Sequence, residues 1–143
     1  MTAHYHTKSA PLDPLLQEYG PNRVRALPAD LTQESAVLKL FASASEAPFG
    51  PVQVVVVNHG IFGERYVPVA EMGLDQWEST IKTNLTSSFL VVREYMRGLE
   101  RASDSVKDKA AIVLIGSVGG KWGVHGFMDY AVTKSGELWV SRR

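Results

Sequence analysis

Two short runs, VQVVVV at 52–57 and AAIVLI at 110–115, restrict the possible folds more than any other feature of the chain. Both are β-branched, and neither alternates apolar with polar residues. A strand that is apolar on both faces belongs in a parallel sheet covered by helices on each side. Two weaker strand candidates precede them, AHYHT (3–7) and RVRAL (23–27). Helical patterns fill the intervals. PLDPLLQEYG (11–20) opens on prolines and stops at Gly20, the usual asymmetry of a helix. TQESAVLKLFASASEA (32–47) opens on a threonine cap. The longest helix starts near Asp75, where Asp75 and Glu78 resemble a capping box. Trp77, Ile81, Leu85, Phe89, Val92, Met96 and Leu99 then form one apolar stripe. ASDSVKDKA (102–110) reads as a solvated turn, and the chain from about Asp129 to its end reads as helix. The order β-α-β-α-β-α-β-α predicts an α/β protein, a three-layer αβα sandwich with a parallel sheet.

Composition narrows the function classes. The 143 residues suit one domain, and 45% are hydrophobic, enough for a core. Fifteen basic residues balance fifteen acidic ones, which argues against a nucleic-acid binder working through a basic face. There is no cysteine, and the four histidines show no metal-ligand spacing, so no metal site is expected. The N-terminal MTAHYHTKSA lacks the apolar core of a secretory signal. The apolar runs are too short to span a bilayer. A cytoplasmic protein with no membrane partner is the expectation.

Ligands of open parallel sheets sit beyond the carboxyl ends of the strands. Three strand ends here carry polar or flexible residues: Asn58-His59-Gly60 after the third, Ser117 in GSVGG after the fourth, and Asp30 after the second. Turns favour these residue types whatever the function. Tyr130 and Lys134, in DYAVTKSG, lie at i and i+4 and share a helix face. A lysine cation close to a phenol favours the phenolate and brings it toward proton exchange with an alcohol or carbonyl. Ser117 is suited to hold the same oxygen by hydrogen bond. The spacing alone does not separate this device from a solvated helix pair. Five tyrosines and seven lysines give roughly 0.25 such pairs by chance.

The combination is more specific. It resembles the short-chain dehydrogenase/reductase family, in which a strand ends in a serine, a Tyr-x-x-x-Lys follows about a dozen residues later, and an asparagine sits in the preceding long helix. The matching positions are Ser117, Tyr130, Lys134 and Asn84 of KTNLTSSF. Asn58-His59-Gly60 stands where the family has Asn-Asn-Ala-Gly or a variant, with His59 in place of alanine. Asp30 and Leu31 of ADLT match the family's Asp-Leu/Val-Thr, with Asp30 expected near an adenine. The resemblance covers nearly the whole chain and implies a Rossmann-like fold with hydride transfer between a nicotinamide and a small-molecule carbonyl/alcohol pair. By the same resemblance Tyr130 is the general acid/base, Lys134 lowers its pKa and binds the nicotinamide ribose, and Ser117 positions the substrate oxygen. Asn84 anchors a proton-relay water. Cofactor contacts fall to Lys8, Asp30, Leu31, Asn58, His59, Gly60, Tyr130 and Lys134.

One signature of the family is missing. None of the twelve glycines forms a Gly-x-x-x-Gly-x-Gly turn. AHYHT resembles the family's second strand, so the sequence reads as one partial, incomplete domain. It lacks the first strand, the glycine-rich turn and the C-terminal strands. The turn grips a pyrophosphate through backbone N–H groups. Its absence predicts weak dinucleotide binding and marginal stability, with either a gap in the sheet or a forced pairing of strands 3–7 and 52–57. HYHTKS, the end of the first strand here, carries no acid. Lys8 is therefore either a partner for a 2′-phosphate, favouring NADP over NAD, or a solvated loop residue. Trp122, Val124, Phe127 and Met128 either border an apolar substrate or pack a glycine-rich loop. The alternative to an oxidoreductase is an inactive fragment that associates with protein, or with its own kind as a homo-oligomer, through helices 75–100 and 129–143.

Overall fold

The computed structural model describes residues 1–140. Among them, strands form at each of the four runs that the sequence marks: β3 (Val54–Val57) and β4 (Ala111–Leu114) lie inside theirs, while β1 (Thr2–Tyr5) starts one residue before its run and β2 (Arg25–Pro28) ends one residue after. β1 and β2 pair in parallel, Thr2 opposite Arg25 and Tyr5 opposite Pro28. β3 and β4 form a second pair. There Ala111 N donates to Gln53 O (3.1 Å) and Ile115 N to Val57 O (3.0 Å), an equal advance along both strands that marks parallel pairing. Neither β1 nor β3 pairs with the other, so the fold has two short parallel sheets in place of one continuous sheet. The β-branched runs predict cover on both faces. The β3–β4 pair has it on one: Val57 is 4% exposed, but Val56 is 58% exposed, with Val54, Val113 and Ile115 also open.

The helices follow the expected order with corrections at their ends. α1 (Asp13–Tyr19) stops at Gly20, whose φ of 70° is a left-handed turn that suits glycine. α2 (Glu34–Ala44) has no threonine cap. Thr32 instead gives its hydroxyl (2.7 Å) and its N–H (3.0 Å) to Asp30 Oδ1, and extended Gln33 starts the helix. The longest helix is α3 (Leu74–Thr80), a π-helical turn (Ile81–Thr86) and α4 (Ser87–Glu100) in succession. Its cap is Gly73 and not Asp75. The Asp75 carboxylate folds over Gly73, where a Cβ would come within 2.3 Å of Oδ1, so a side chain at 73 would displace that carboxylate.

The apolar stripe is only in part the buried face of this helix. Of its residues Val92 is buried and Phe89 exposed, while Thr80, Asn84, Ser87 and Ser88 are buried with Leu90, Val91 and Tyr95. Small polar residues go inside here because they hydrogen-bond within the molecule. Ser87 Oγ donates to Thr83 O (2.5 Å) and Ser88 Oγ to Asn84 O (2.6 Å), each one turn back. A short helix, α5 (Asp104–Lys107), stands in the stretch read as a turn. Another, α6 (Val118–Trp122), occupies the glycine-rich segment after β4. α7 spans Met128–Val140; its expected continuation over 141–143 lies outside the described residues.

The chain divides into two compact units. Unit one comprises Met1–Val54 and Arg93–Ala111 and contains β1, α1, β2, α2 and α5 with the later part of α4. Its core gathers Val24, Ala29, Leu31, Val37, Ala44 and Tyr95. The Tyr95 hydroxyl donates to Gln53 O (2.5 Å), and burial pushes this phenol above its ordinary pKa. Arg93 forms an ion pair with Glu34. Unit two comprises Val55–Val92 and the chain from Ile112 onward, holding α3, the π turn, the start of α4, α6 and α7. Among the described residues no helix is long and apolar enough to cross a membrane.

Candidate active site

Unit two brings Ser117 and Tyr130 to one point. Ser117, the first residue past Gly116 at the end of β4, caps α6: its Oγ accepts the N–H of Gly119 at 3.1 Å. Because the oxygen accepts there, the hydroxyl hydrogen is left to donate elsewhere. A Cβ placed on Gly119 would lie 3.4 Å from Ser117 Oγ and 3.4 Å from Tyr130 Cε1, so both side chains border the same small volume. The same Cβ would meet Val124 at 2.6 Å. The close approach at Gly119 is therefore to Val124, while Ser117 and Tyr130 stand at ordinary contact distance.

The Tyr130 ring is half-buried against aromatics. Phe62 meets it edge-on at 4.7 Å between centroids and stacks on Phe127 at 4.3 Å. Phe62, from the segment after β3, was not singled out by the sequence; only its place just past Asn58-His59-Gly60 pointed to it. Of the loop residues expected at the substrate, Phe127 joins this cluster, while Trp122 is 77% exposed.

The ammonium of Lys134 is committed to other partners than the phenol. Nζ donates to Ile115 O (3.1 Å), Glu137 Oε1 (3.0 Å) and Glu137 Oε2 (2.9 Å), which accounts for its three N–H groups. Lys134 and Glu137 are both buried. Burial pushes the Glu137 carboxyl above its ordinary pKa; hydrogen bonding and charge from Lys134, with a bond from Ser88, pull it back. The sequence reading did not single out Glu137, although the i+3 spacing from Lys134 signals the pair.

Asn84 holds the loop after β3. It lies in the π turn, a distortion common at functional positions, and is fully buried. Its Oδ1 accepts Ile61 N–H (2.7 Å) while Nδ2 donates to Ile61 O (2.9 Å) and Thr133 Oγ1 (3.2 Å). Thr133 Oγ1 in turn donates to Tyr130 O (2.7 Å), so this network joins loop, long helix and Tyr130 helix. A Cβ on Gly60 would sit 3.3 Å from Asn84 Oδ1. Asn58 and Gly60 are exposed beside the pinned loop, and His59 Nε2 meets Ser87 Oγ at 2.5 Å. Asp129, also buried, accepts from Thr80 Oγ1 (2.8 Å), Gln76 Nε2 (3.1 Å) and the backbone N–H of Tyr130 (2.9 Å). It fixes the start of α7.

Lys8, Asp30 and Leu31 belong to unit one. Lys8 is exposed, Leu31 is core, and Asp30 is held by Thr32, whose hydroxyl keeps the carboxyl below its ordinary pKa. The residues of unit two suit the nicotinamide end of a dinucleotide: exposed loop backbone at 58–60, a serine with a free O–H, a phenol and a cation. The sequence contains no glycine turn of the kind that grips a pyrophosphate.

Known proteins are similar to this chain in sequence and in fold. A family model described as short chain dehydrogenase matches residues 2–141. The chain is 30% identical over 122 residues, 85% of its length, to the 3-oxoacyl-[acyl-carrier-protein] reductase MabA of Mycobacterium bovis, covering 46% of that protein. It is 34% identical over 96 residues to the 3-oxoacyl-[acyl-carrier-protein] reductase FabG of Salmonella typhimurium, covering 67% of the chain and 36% of that protein. A solved short chain dehydrogenase from Mycobacterium smegmatis superposes with a TM-score of 0.81 at 28% identity, over 99% of this chain and 57% of that one. The chain thus spans about half the length, or less, of these curated relatives. The two short parallel sheets are an incomplete form of the Rossmann-like fold.

Proposed function

The chain belongs to the short-chain dehydrogenase family, and from that premise we propose that unit two carries the proton-transfer half of a carbonyl/alcohol oxidoreductase site. The observation that carries this reading is the meeting of Ser117 Oγ and the Tyr130 ring above Gly119. Tyr130 is the acid/base: in reduction its hydroxyl gives a proton to the developing alkoxide, and in oxidation its phenolate takes one. Ser117 donates its O–H to the same oxygen, orienting it and stabilising the charge that grows there. Lys134 supplies a positive charge at this end of the site, its Nζ on Ile115 O at the end of β4. Asn84 holds the Asn58–Gly60 loop through Ile61, where backbone faces the cofactor. A nicotinamide cofactor supplies the hydride when bound.

The cofactor we assign is NADP, on the basic Lys8 and the lack of an acid after β1. Asp30 and Leu31 take the adenine side. The substrate class to try first is a 3-oxoacyl thioester, the class that the names of both curated relatives give. The test is NADPH oxidation by the purified chain with such a thioester, against Tyr130→Phe. Turnover lost in the variant supports the reading; equal turnover in both removes Tyr130 from it.

A second reading has its own observation. Phe89 on α4 and Val132, Leu138 and Trp139 on α7 are large apolar residues at 40% exposure or more. They favour self-association through the helices expected at 75–100 and 129–143. Light scattering on eluted protein distinguishes a dimer from a monomer.

A further inference from the structure

Lys134 is a cation in a place where a cation is costly. It is 6% exposed, and Glu137, one turn further along α7, is 2% exposed. Burial favours the neutral amine over the ammonium unless an opposite charge compensates. Glu137 is the charged group that compensates: both its oxygens accept from Nζ, at 3.0 and 2.9 Å. Two uncharged groups also meet the pair: Ile115 O takes the third N–H from the end of β4, and the Ser88 hydroxyl of α4 faces Glu137. α6 packs on the α7 backbone here, since a Cβ on Gly120 would strike Lys134 C at 2.6 Å.

We propose that Glu137 is a positioning residue for the site: its two carboxylate oxygens hold the Lys134 ammonium at the end of the strand that leads into Ser117. The inference rests on the role given to Lys134 above. Ile115 and Ser117 are two residues apart, so the bond from Nζ to Ile115 O fixes the cation beside the serine's strand end. Removing the carboxylate charge leaves an ammonium without a counter-charge. The lysine then turns out toward water and leaves the strand end that carries Ser117.

The experiment measures the reactivity of each lysine toward an amine-acylating reagent at neutral pH, by peptide mass spectrometry, in the parent, Glu137→Gln and Glu137→Asp. The expected result is a rise of tenfold or more at Lys134 in Glu137→Gln, with Lys39 and Lys82 unchanged as internal controls and Glu137→Asp close to the parent. Unchanged Lys134 reactivity in Glu137→Gln overturns the inference. A rise at all lysines, shared by Glu137→Asp, reports general unfolding and overturns it too, because the shorter carboxylate then fails to restore the pair. NADPH oxidation on the same samples separates the two claims. Selective exposure of Lys134 with an inactive parent leaves Glu137 in place and refutes the catalytic reading. An active parent whose kcat is untouched in Glu137→Gln refutes the link to catalysis.

Discussion

Replacing Asn84 with alanine tests how the site is held. The side chain is fully buried and makes three hydrogen bonds, two to the backbone of Ile61 and one to Thr133 Oγ1. A net hydrogen bond stabilises by about 1 kcal/mol, and a buried group left unpaired costs about 1–3 kcal/mol. Ile61 is 43% exposed, so water recovers part of the loss at its backbone. Thr133 keeps its own bond to Tyr130 O. These considerations place the loss at about 2–3 kcal/mol, a large share of the roughly 5–15 kcal/mol typical of a domain. Urea unfolding of parent and Asn84→Ala gives the difference directly. With an m-value of about 1.5 kcal/mol/M the midpoint falls by about 1.5–2 M. Amide exchange at Ile61 should accelerate in the same variant, because its N–H loses Oδ1. A change under about 0.5 kcal/mol, with Ile61 still protected, would refute the claim that Asn84 pins this loop.

Three further outcomes follow from other contacts. Gly120→Ala forces a Cβ to within 2.6–2.9 Å of Lys134 C, its O and Ser135 N, all backbone atoms; a loss of about 3 kcal/mol, read by thermal unfolding, is expected from such overpacking. Asp30 has a lowered pKa in the fold, first through the Thr32 hydroxyl. Its contribution is therefore present above the unfolded carboxylate value and is lost as pH falls through the folded one. Asp30→Asn should flatten the acid limb of stability against pH. Tyr95 has a raised pKa through burial, so its contribution is present below pH 10 and is lost as pH rises through the folded value. Tyr95→Phe should flatten the alkaline limb and, by removing one of the two donors to Gln53 O, which keeps the Ala111 N–H, cost about 1 kcal/mol in urea at pH 7.

Strand positions were legible because β-branched runs report their own secondary structure: VVVV and AIVL became β3 and β4. Ser117, Tyr130, Lys134 and Asn84 were drawn from the family resemblance, since spacing alone did not set Tyr130 and Lys134 apart from a solvated helix pair, and the structure places Ser117 and Tyr130 beside one small volume. The buried face of the long helix was not. Hydropathy assigns the interior to Phe89 and Leu85, yet Ser87, Ser88 and Asn84 occupy it. Their burial depends on bonds to carbonyls one turn back and to Ile61, and those partners are visible only in three dimensions. The helix caps failed for a related reason. Thr32 is tied to Asp30 and α2 starts one residue later, at Gln33, while the residue before α3 is Gly73, two positions ahead of Asp75. Glu137 escaped because a glutamate three residues past a lysine usually marks a solvated surface pair. Here the carboxylate is buried, with the Ser88 hydroxyl facing it.

The central claim is that unit two assembles the nicotinamide end of a dehydrogenase site. Nicotinamide mononucleotide, which lacks the adenylate half of the dinucleotide, probes that end alone. Titrated into isotope-labelled chain and followed by amide chemical shifts, it should move Gly60, Ile61, Ser117 and Tyr130 together at millimolar concentration. Shifts confined to other residues, or none at saturating ligand, would contradict the account.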